Sequence, residues 1–398
     1  MKARKLREGI YWVGGIDWNL RNFHGYMTQR GSTYNAYLII DEKITLIDNV
    51  KYYLYDEMIS RISEIIDPSK IDILVQNHVE MDHSGGMPRL MELLPNATIY
   101  TNANGIKGLK AHYKKDWKFQ EVKTGDSISL GKRSLHFVTT PMVHWPDNMV
   151  SYCPEEKILF SNDAFGQHIS SSERLDTEYP LTIIMEEAKK YYANIVLPYS
   201  KQVQKVLDQA SGLDIEMICP SHGIIWTEHI PQIVQAYKDW AYSISKMDNA
   251  LVIYDSMWKS TEQMAMTILE AFENLGIKTK LYNLQLTHIS DIMTDVIDAH
   301  WICVGSPTLN SSILPTVAAF MYYLKGLSPK ERVGLAFGSY GWGGQSIPIL
   351  HQLLGDPKEC GFDMLEPIKQ QYIPGKEDLQ QMRIKLEQNI KDKMEETK

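Results

Sequence analysis

The apolar positions of this chain change rhythm once. Up to about residue 248 they fall in short apolar or alternating runs broken by turn residues, which predicts strands over 9–13, 34–40, 44–47, 71–75, 97–101, 134–139 and 158–160. Helical spacing between them predicts helices over 55–66, 105–112 and a long one over 182–210. Strands and helices mixed in this way predict two packed sheets flanked by helices. From residue 249 the pattern becomes a regular alternation. Apolar strands over 250–254, 280–284, 301–305 and 333–337 are separated by helical stretches over 261–275, 291–299, 314–324 and 345–354, and a last helix starts near 377. Such βαβ units predict a doubly wound parallel sheet, whose ligands sit beyond the carboxyl ends of the strands. The expected domains are therefore 1–248 and 249–398, both of the α/β class.

Composition narrows the chemistry. The chain has 398 residues, 44% hydrophobic and 23% charged, enough for each half to bury its own core. A formal charge of −8, with no Lys/Arg-rich run flanked by aromatics, argues against nucleic acid as a partner. No run approaches the roughly 20 apolar residues of a membrane span, and no apolar segment follows the charged N-terminus. A cytoplasmic location with no membrane association is expected. Cys153, Cys219, Cys303 and Cys360 form no C-x-x-C pair, so a cysteine-based zinc or iron site within the chain is excluded and buried, reduced thiols are expected.

Behind the apolar run 71–75 comes His78-Val79-Glu80-Met81-Asp82-His83-Ser84-Gly85-Gly86. In extended backbone, residues two apart share a side, so His78 and Glu80 can reach one metal ion, while Asp82 and His83, beyond the turn, can reach a second. Three further segments place a His or Asp just after a short apolar strand: His144 in 140–146, Asp163 in 159–163 and His222 in 218–223. Gathered at one edge of a sandwich, these seven side chains suit two ions, with Asp163 suited to bridge them. Each histidine alone is more often a hydrogen-bonded packing residue; the ordered series behind strands is what favours ligation. His112, His136, His229, His288, His300 and His351 lack that context and read as surface or packing residues.

This ordered series resembles the metallo-β-lactamase fold, and so implies an αββα sandwich for the N-terminal domain. The hydrolases of that superfamily typically carry H-x-H-x-D-H, where this chain has Glu80 in the second histidine's place. With neutral imidazoles, Glu80, Asp82 and Asp163 sum to −3 against +4 for two divalent ions, leaving +1 for a bridging anion to cancel. Anionic oxygen ligands favour iron over zinc and stabilise its ferric state, which suits a redox site.

In the second half, the first strand runs into Asp255-Ser256-Met257-Trp258-Lys259-Ser260-Thr261, without a Walker lysine or a G-x-G-x-x-G. Hydroxyls and backbone N–H groups at a helix N-terminus make a phosphate site, although a plain N-cap explains Ser260 or Thr261 equally well when taken singly. The third strand ends in Ser306-Pro307-Thr308-Leu309-Asn310 and the fourth in Ser339-Tyr340-Gly341-Trp342-Gly343-Gly344. Glycines allow close approach to a flat ring that Tyr340 and Trp342 can wall. Together the three loops resemble flavodoxin, which implies FMN.

The two halves in this order are similar to the flavodiiron proteins, or A-type flavoproteins. The likeness covers essentially the whole chain, including 17–26 (Asp-Trp-Asn-Leu-Arg-Asn-Phe-His-Gly-Tyr) and 191–195 (Tyr-Tyr-Ala-Asn-Ile). It implies two non-haem irons, one held by His78, Glu80 and His144, the other by Asp82, His83 and His222, with Asp163 bridging. It implies reduction of dioxygen to water, or of nitric oxide to nitrous oxide, by electrons passing through FMN. With no rubredoxin part after the flavodoxin-like domain, the minimal two-domain class is expected, with an outside donor, either rubredoxin or a reduced 5-deazaflavin coenzyme. A head-to-tail homodimer, or a tetramer built from it, is implied, setting one subunit's FMN beside the other's irons. His24, Tyr26, Trp145, His168 and Tyr199 flank the motifs as candidates for gating or proton donation, with packing as their plainer role. Two rivals remain at this stage: a zinc hydrolase with an appended flavodoxin-like module, and a redox-sensing flavoprotein with an inert metal domain.

Overall fold

In the computed structural model, which describes residues 2–396, the chain forms two compact units. One is built from the chain up to Tyr191 and from Tyr199 to Lys238, the other from Tyr192–Pro198 and from Asp239 onward.

The first unit contains a seven-stranded sheet in the spatial order Arg4–Arg7, Ile10–Trp12, Tyr37–Ile39, Thr45–Ile47, Ile73–Val75, Thr98–Thr101 and Phe119–Glu121. A second sheet runs Ser127–Ser129, Ser134–Thr139, Met149–Cys153, Ile158–Asn162 and Met217–Pro220. Alternation along the strands explains why both faces of the first sheet are covered. Ile10, Trp12, Tyr37, Ile39, Ile73 and Val75 meet Phe137, Met149, Ile158, Phe160 and Cys219 between the sheets. Leu38, Leu46 and Leu74, one position out of phase, meet Met58, Ile62, Leu90 and Leu109 from the flanking helices. Each such buried aliphatic or aromatic side chain contributes about 1.5–3 kcal/mol, so a one-residue slip of register is strongly disfavoured.

The helix expected over 182–210 is broken. Helix Leu181–Tyr191 gives way to a wide turn at Tyr192–Val196 and a tight one at Leu197–Tyr199 before helix Ser200–Ala210. Pro198 contributes to the interruption, because it has no N–H to bond back to the Asn194 carbonyl and the α-helical ladder cannot run through it. Tyr192–Pro198 packs instead with the second unit, where Asn194 donates to the Ser290 carbonyl at 3.1 Å and accepts from the Tyr323 hydroxyl at 2.7 Å.

The second unit holds a parallel sheet in the order Lys278–Asn283, Lys246–Tyr254, Ala299–Gly305, Val333–Tyr340 and Asp363–Met364. The first strand in sequence is thus internal, which creates a topological switch point beside its carboxyl end. Asp363–Met364 and Ile368–Gln371, which pairs parallel with the far end of Val333–Tyr340, have no counterpart in the sequence reading. They are too short and polar to show periodicity. All four cysteines are buried and unpaired. Among the described residues, no helix is long and apolar enough to cross a membrane.

Candidate functional site

The sandwich edge that carries the metal-ligand candidates is organised by a buried carboxylate. Asp48, just beyond strand Thr45–Ile47, accepts from the Asn77 backbone N–H at 2.7 Å and from the Asn77 side chain at 3.1 Å. The neighbouring Gln76 amide donates to the carbonyls of His78 (2.5 Å) and His83 (2.8 Å), closing the loop that carries both residues. Within that loop Glu80 stands at the N-cap of the one-turn helix Met81–Ser84, and Ser84 Oγ donates back to the Val79 carbonyl at 2.7 Å. The chain, extended at Glu80, therefore turns into the one-turn helix before Asp82 and His83.

Seven side chains converge here from four segments. His78, Glu80, His144 and Asp163 form one group of donor atoms, and Asp82, His83 and His222 another. Asp163 faces both. Its Oδ2 lies 3.1 Å from His144 Nε2 and 3.6 Å from His78 Nε2, while its Oδ1 lies 2.9 Å from His83 Nε2 and 3.5 Å from His222 Nε2. Glu80 Oε2 lies 3.4 Å from His78 and 3.6 Å from His144; Asp82 Oδ2 lies 3.4 Å from both His83 and His222.

The imidazoles are aimed by groups behind them. His78 Nδ1 pairs with Asp147 Oδ2 at 2.9 Å, an oxygen that also accepts from the Val79 N–H at 2.8 Å, and His222 Nδ1 donates to the Thr33 carbonyl at 2.8 Å. Each contact leaves Nε2 facing the cluster, the arrangement expected behind a metal-bound imidazole. Asp147 lies three residues past His144, and a buried histidine's need for an acceptor was a usable signal for it. Asp48 and Thr33, remote in sequence, offered none.

Electrostatics tests whether a cation fits. Burial would raise the Glu80 carboxyl, yet hydrogen bonds with His24 and His78 bring it down to about 2. Burial would lower the His83 imidazole, yet Asp82 and Asp163 hold it up to about 9. Burial would likewise raise Asp82 and Asp163, and the surrounding imidazoles hold both well down. Both oxygens of Asp82, Oδ1 of Asp163 and Nε2 of His83 and His222 are buried without an oriented hydrogen bond, although they lie within ion-pair distance of one another. Donor atoms packed face to face in this way suit cations better than they suit each other. The mixture of four imidazoles and three carboxylates fits a pair of iron ions.

Around the cluster, His24 Nε2 lies 2.5 Å from Glu80 Oε1 with its ring half exposed, and that contact raises its pKa. His168 is buried, with Nδ1 2.6 Å from Ser32 Oγ and its ring 4.7 Å from that of His222. Burial, then the nearby His222, pushes its pKa well down. Tyr26 packs on His168 at 5.4 Å and Trp145 on His78 at 5.2 Å, edge-on. Tyr199 is different. It sits at the N-cap of helix Ser200–Ala210 and makes no hydrogen bond or ring contact with the cluster among the described residues. Lys51, absent from the sequence reading, places its ammonium 4.6 Å from the Tyr34 ring and 5.4 Å from that of Phe23. Among the histidines left aside, His288 caps helix Ile289–Val296 and His229 pairs with Asp176 at 3.2 Å.

In the second unit the three loops gather beyond the strand ends. Asp255 accepts from Ser256 N–H and from the Gln285 amide, both at 2.6 Å, and from the Thr316 hydroxyl, tying three segments together. Met257 and Trp258 are exposed and Lys259, at φ 66°, precedes helix Ser260–Asn274. Thr261 Oγ1 lies 2.8 Å from Ser339 Oγ, Thr308 N–H donates to the Ser339 carbonyl at 2.9 Å, and Ser306 Oγ accepts from the Leu314 N–H at 3.0 Å. Pro307 links Ser306 to Thr308, Leu309 pairs with Ser312, and Asn310 adopts φ 49°. Gly343 and Gly344 have φ of 85° and 72°, and a side chain at Gly341 would meet no backbone, only the Tyr372 ring at 3.5 Å. Tyr340 is half-buried while Trp342 is 86% exposed. Ser256 Oγ is buried without a partner beside a helix N-terminus, which fits the phosphate end of a flavin mononucleotide.

Comparison with known proteins agrees with both halves. The ODP family beta lactamase model matches residues 33–223 and the flavodoxin model residues 252–385. A nitric oxide reductase of Moorella thermoacetica is 47% identical over 382 residues, 94% of this chain and 95% of its own. A coenzyme F420H(2) oxidase of Methanothermobacter thermautotrophicus is 41% identical across 95% of this chain and 96% of its own. The rubredoxin oxygen:oxidoreductase structure from Desulfovibrio gigas matches at TM-score 0.94 and 43% identity, covering 98% of both chains. The flavodiiron protein structure from Giardia intestinalis matches at TM-score 0.95 and 33% identity, covering 100% of this chain and 98% of its own.

Proposed function

The chain belongs to the flavodiiron protein family, and on that premise we propose that it reduces dioxygen to water, using FMN and a di-iron site fed by an external donor. The observation that carries this reading is the two-faced Asp163, whose carboxylate oxygens meet different imidazoles within one buried cluster. In the proposed assignment His78, Glu80 and His144 would hold one iron and Asp82, His83 and His222 the other, with Asp163 able to serve both. Ser256 to Thr261 would hold the FMN phosphate, and Ser306 to Asn310 and Ser339 to Gly344 would take its ring. When bound, these groups supply the electron storage and transfer that gas reduction requires.

The chain's own residues position and protonate. Asp147 and the Thr33 carbonyl fix the His78 and His222 rings, and Gln76 fixes the loop between His78 and His83. Making water from dioxygen consumes protons, and His24 is placed to pass them: one ring nitrogen touches Glu80 and the half-exposed ring reaches solvent. His168, tied to Ser32 and packed at tilted angles against the rings of Phe23, Tyr26 and His222, keeps water from the inner side.

A second reading, nitric oxide reduction to nitrous oxide, is favoured by the 47% identity to a nitric oxide reductase and uses the same residues. Rubredoxin or reduced coenzyme F420, a 5-deazaflavin, is the proposed donor, after the names of the relatives. A head-to-tail homodimer in the cytoplasm completes the proposal. Anaerobically reduced protein mixed separately with each gas, with flavin absorbance followed by stopped flow, tests the choice. Much faster reoxidation by dioxygen, with water and no peroxide as product, is expected; faster reoxidation by nitric oxide with nitrous oxide as product overturns the first reading in favour of the second. Two zincs and no flavin per chain would overturn both.

A further inference from the structure

The two sheets of the first unit are packed unequally. Between them the core is continuous, whereas on the outer face of the second sheet the buried cluster consists of Val150, Tyr152 and Leu159, with Val138, Leu213 and Ile215 at its edge. Beside that cluster lies a cavity of 560 Å³. Its floor is the sheet, its roof is helices Ser200–Ala210 and Ile230–Ala241 through Val206, Leu207 and Val234, and Gln209, Ser211 and Lys238 supply its polar rim.

The position of this cavity gives it meaning. Its lining reaches Val143 and Ala164, the immediate chain neighbours of His144 and Asp163, and Phe165 one residue further on. His144 and Asp163 turn toward the metal-facing cluster, so along 143–144 and 163–164 a single thickness of backbone carries a cavity residue and then a cluster residue. Neighbouring Cα atoms are about 3.8 Å apart. We propose that this apolar cavity is a binding site for small, uncharged diatomic gas molecules, from which the cluster is supplied through the wall formed by 140–144 and 161–165.

The chemistry of the walls supports that occupant. An apolar cavity stays poorly hydrated and takes up small nonpolar solutes, since a water molecule inside lacks two to four polar partners. Of the hydroxyls in its lining, Ser161 Oγ is engaged with the Ala164 carbonyl at 2.8 Å and Thr124 Oγ1 with Thr139 Oγ1 at 2.8 Å. A gas molecule needs none. Dioxygen and nitric oxide share this chemistry, and concentrating either beside the cluster lowers the concentration at which turnover saturates without altering the reaction step. The proposal rests on the gas-reducing reading above and adds a site to it.

The test uses the holoenzyme and two readouts. Crystals under xenon pressure are expected to show xenon between Val150, Leu159, Val206 and Val234. Val206→Trp and Val234→Trp, on separate helices and at half-buried positions, are each expected to remove the xenon and to raise KM for dioxygen or nitric oxide by roughly threefold or more with kcat within about twofold. A wild-type cavity free of xenon overturns the proposal, and so does a filled cavity with KM unchanged. Xenon binding in a protein that turns over neither gas overturns the supply role and, separately, the proposed function, because xenon occupancy reads the cavity without any chemistry.

Discussion

The two sites of this protein are built by opposite means. The metal-facing cluster is made of ionisable side chains sealed from water: His78 and His83 are 0% exposed and Glu80 8%. The flavin loops are made of hydroxyls, glycines and backbone, and present Trp258 and Trp342 at 87% and 86% exposure. The difference follows from what each must hold. Small multivalent cations are held by charge, and charge is strong only in a water-poor interior where each ligand is fixed from behind. A large, flat anion needs N–H groups, hydroxyls and room at the end of a sheet. One site therefore depends on buried charge fixed from behind, the other on hydroxyls and backbone at loop ends, which Asp255 and Thr261 tie to one another across the sheet.

Four experiments break or sharpen that contrast. The largest effect is expected for Asp163→Asn, which keeps the shape and removes the shared charge: iron content falls to less than about half and turnover by about 100-fold or more, with FMN content unchanged. Metal and flavin analysis of the purified variant checks it, and loss of both cofactors would show that the sites are not independent. Asp147→Asn, at a carboxylate that among the described residues meets His78 and the Val79 N–H, is expected to weaken metal affinity by about 10–100-fold, measured by competition with a chelator.

A third experiment uses pH on metal-stripped protein. The folded-state pKa of His83 is held up to about 9 by Asp82 and Asp163 against burial, above its ordinary value of 6.5. Protonation of a group raised in the folded state favours folding fully below the unfolded value, and this contribution is lost as pH climbs through the folded one. Stability of the metal-free protein is thus expected to fall between pH 6.5 and about 9, by on the order of 1–3 kcal/mol. Denaturant melts across that range check it. Metal-loaded protein, with a cation in the proton's place, is expected to lack the fall. The smallest effect belongs to the open site: Ser256→Ala removes one hydroxyl and is expected to weaken FMN binding about tenfold with iron unchanged, as read by flavin fluorescence titration.

The sequence carried a good deal of this. Apolar alternation in the first unit and continuous apolar runs in the parallel sheet of the second located the longer strands, though not the short, polar Asp363–Met364 and Ile368–Gln371, and the metal-facing candidates were legible because each follows a strand that must end at a sheet edge. The continuous helix over 182–210 failed at Pro198, a local signal outweighed by the apolar spacing around it. Tyr199 is found at the N-cap of helix Ser200–Ala210, and nearness in sequence to a motif such as Tyr191-Tyr192-Ala193-Asn194-Ile195 says nothing about direction once the chain crosses between compact units.

Residue type and order alone determined most of the longer elements and which side chains and loops carry the chemistry suited to metal ions and to a phosphate. Tertiary structure alone decided that Asp48, 29 residues before Asn77, would brace the loop carrying His78, that the Thr33 carbonyl would aim His222 from 189 residues away, and that Lys51 would lie over Tyr34. It also decided where packing would fail and leave a cavity. The reason is physical: periodicity and ligand chemistry act along the chain, whereas the orientation of a buried polar group and the volume left between layers depend on neighbours brought together only by folding.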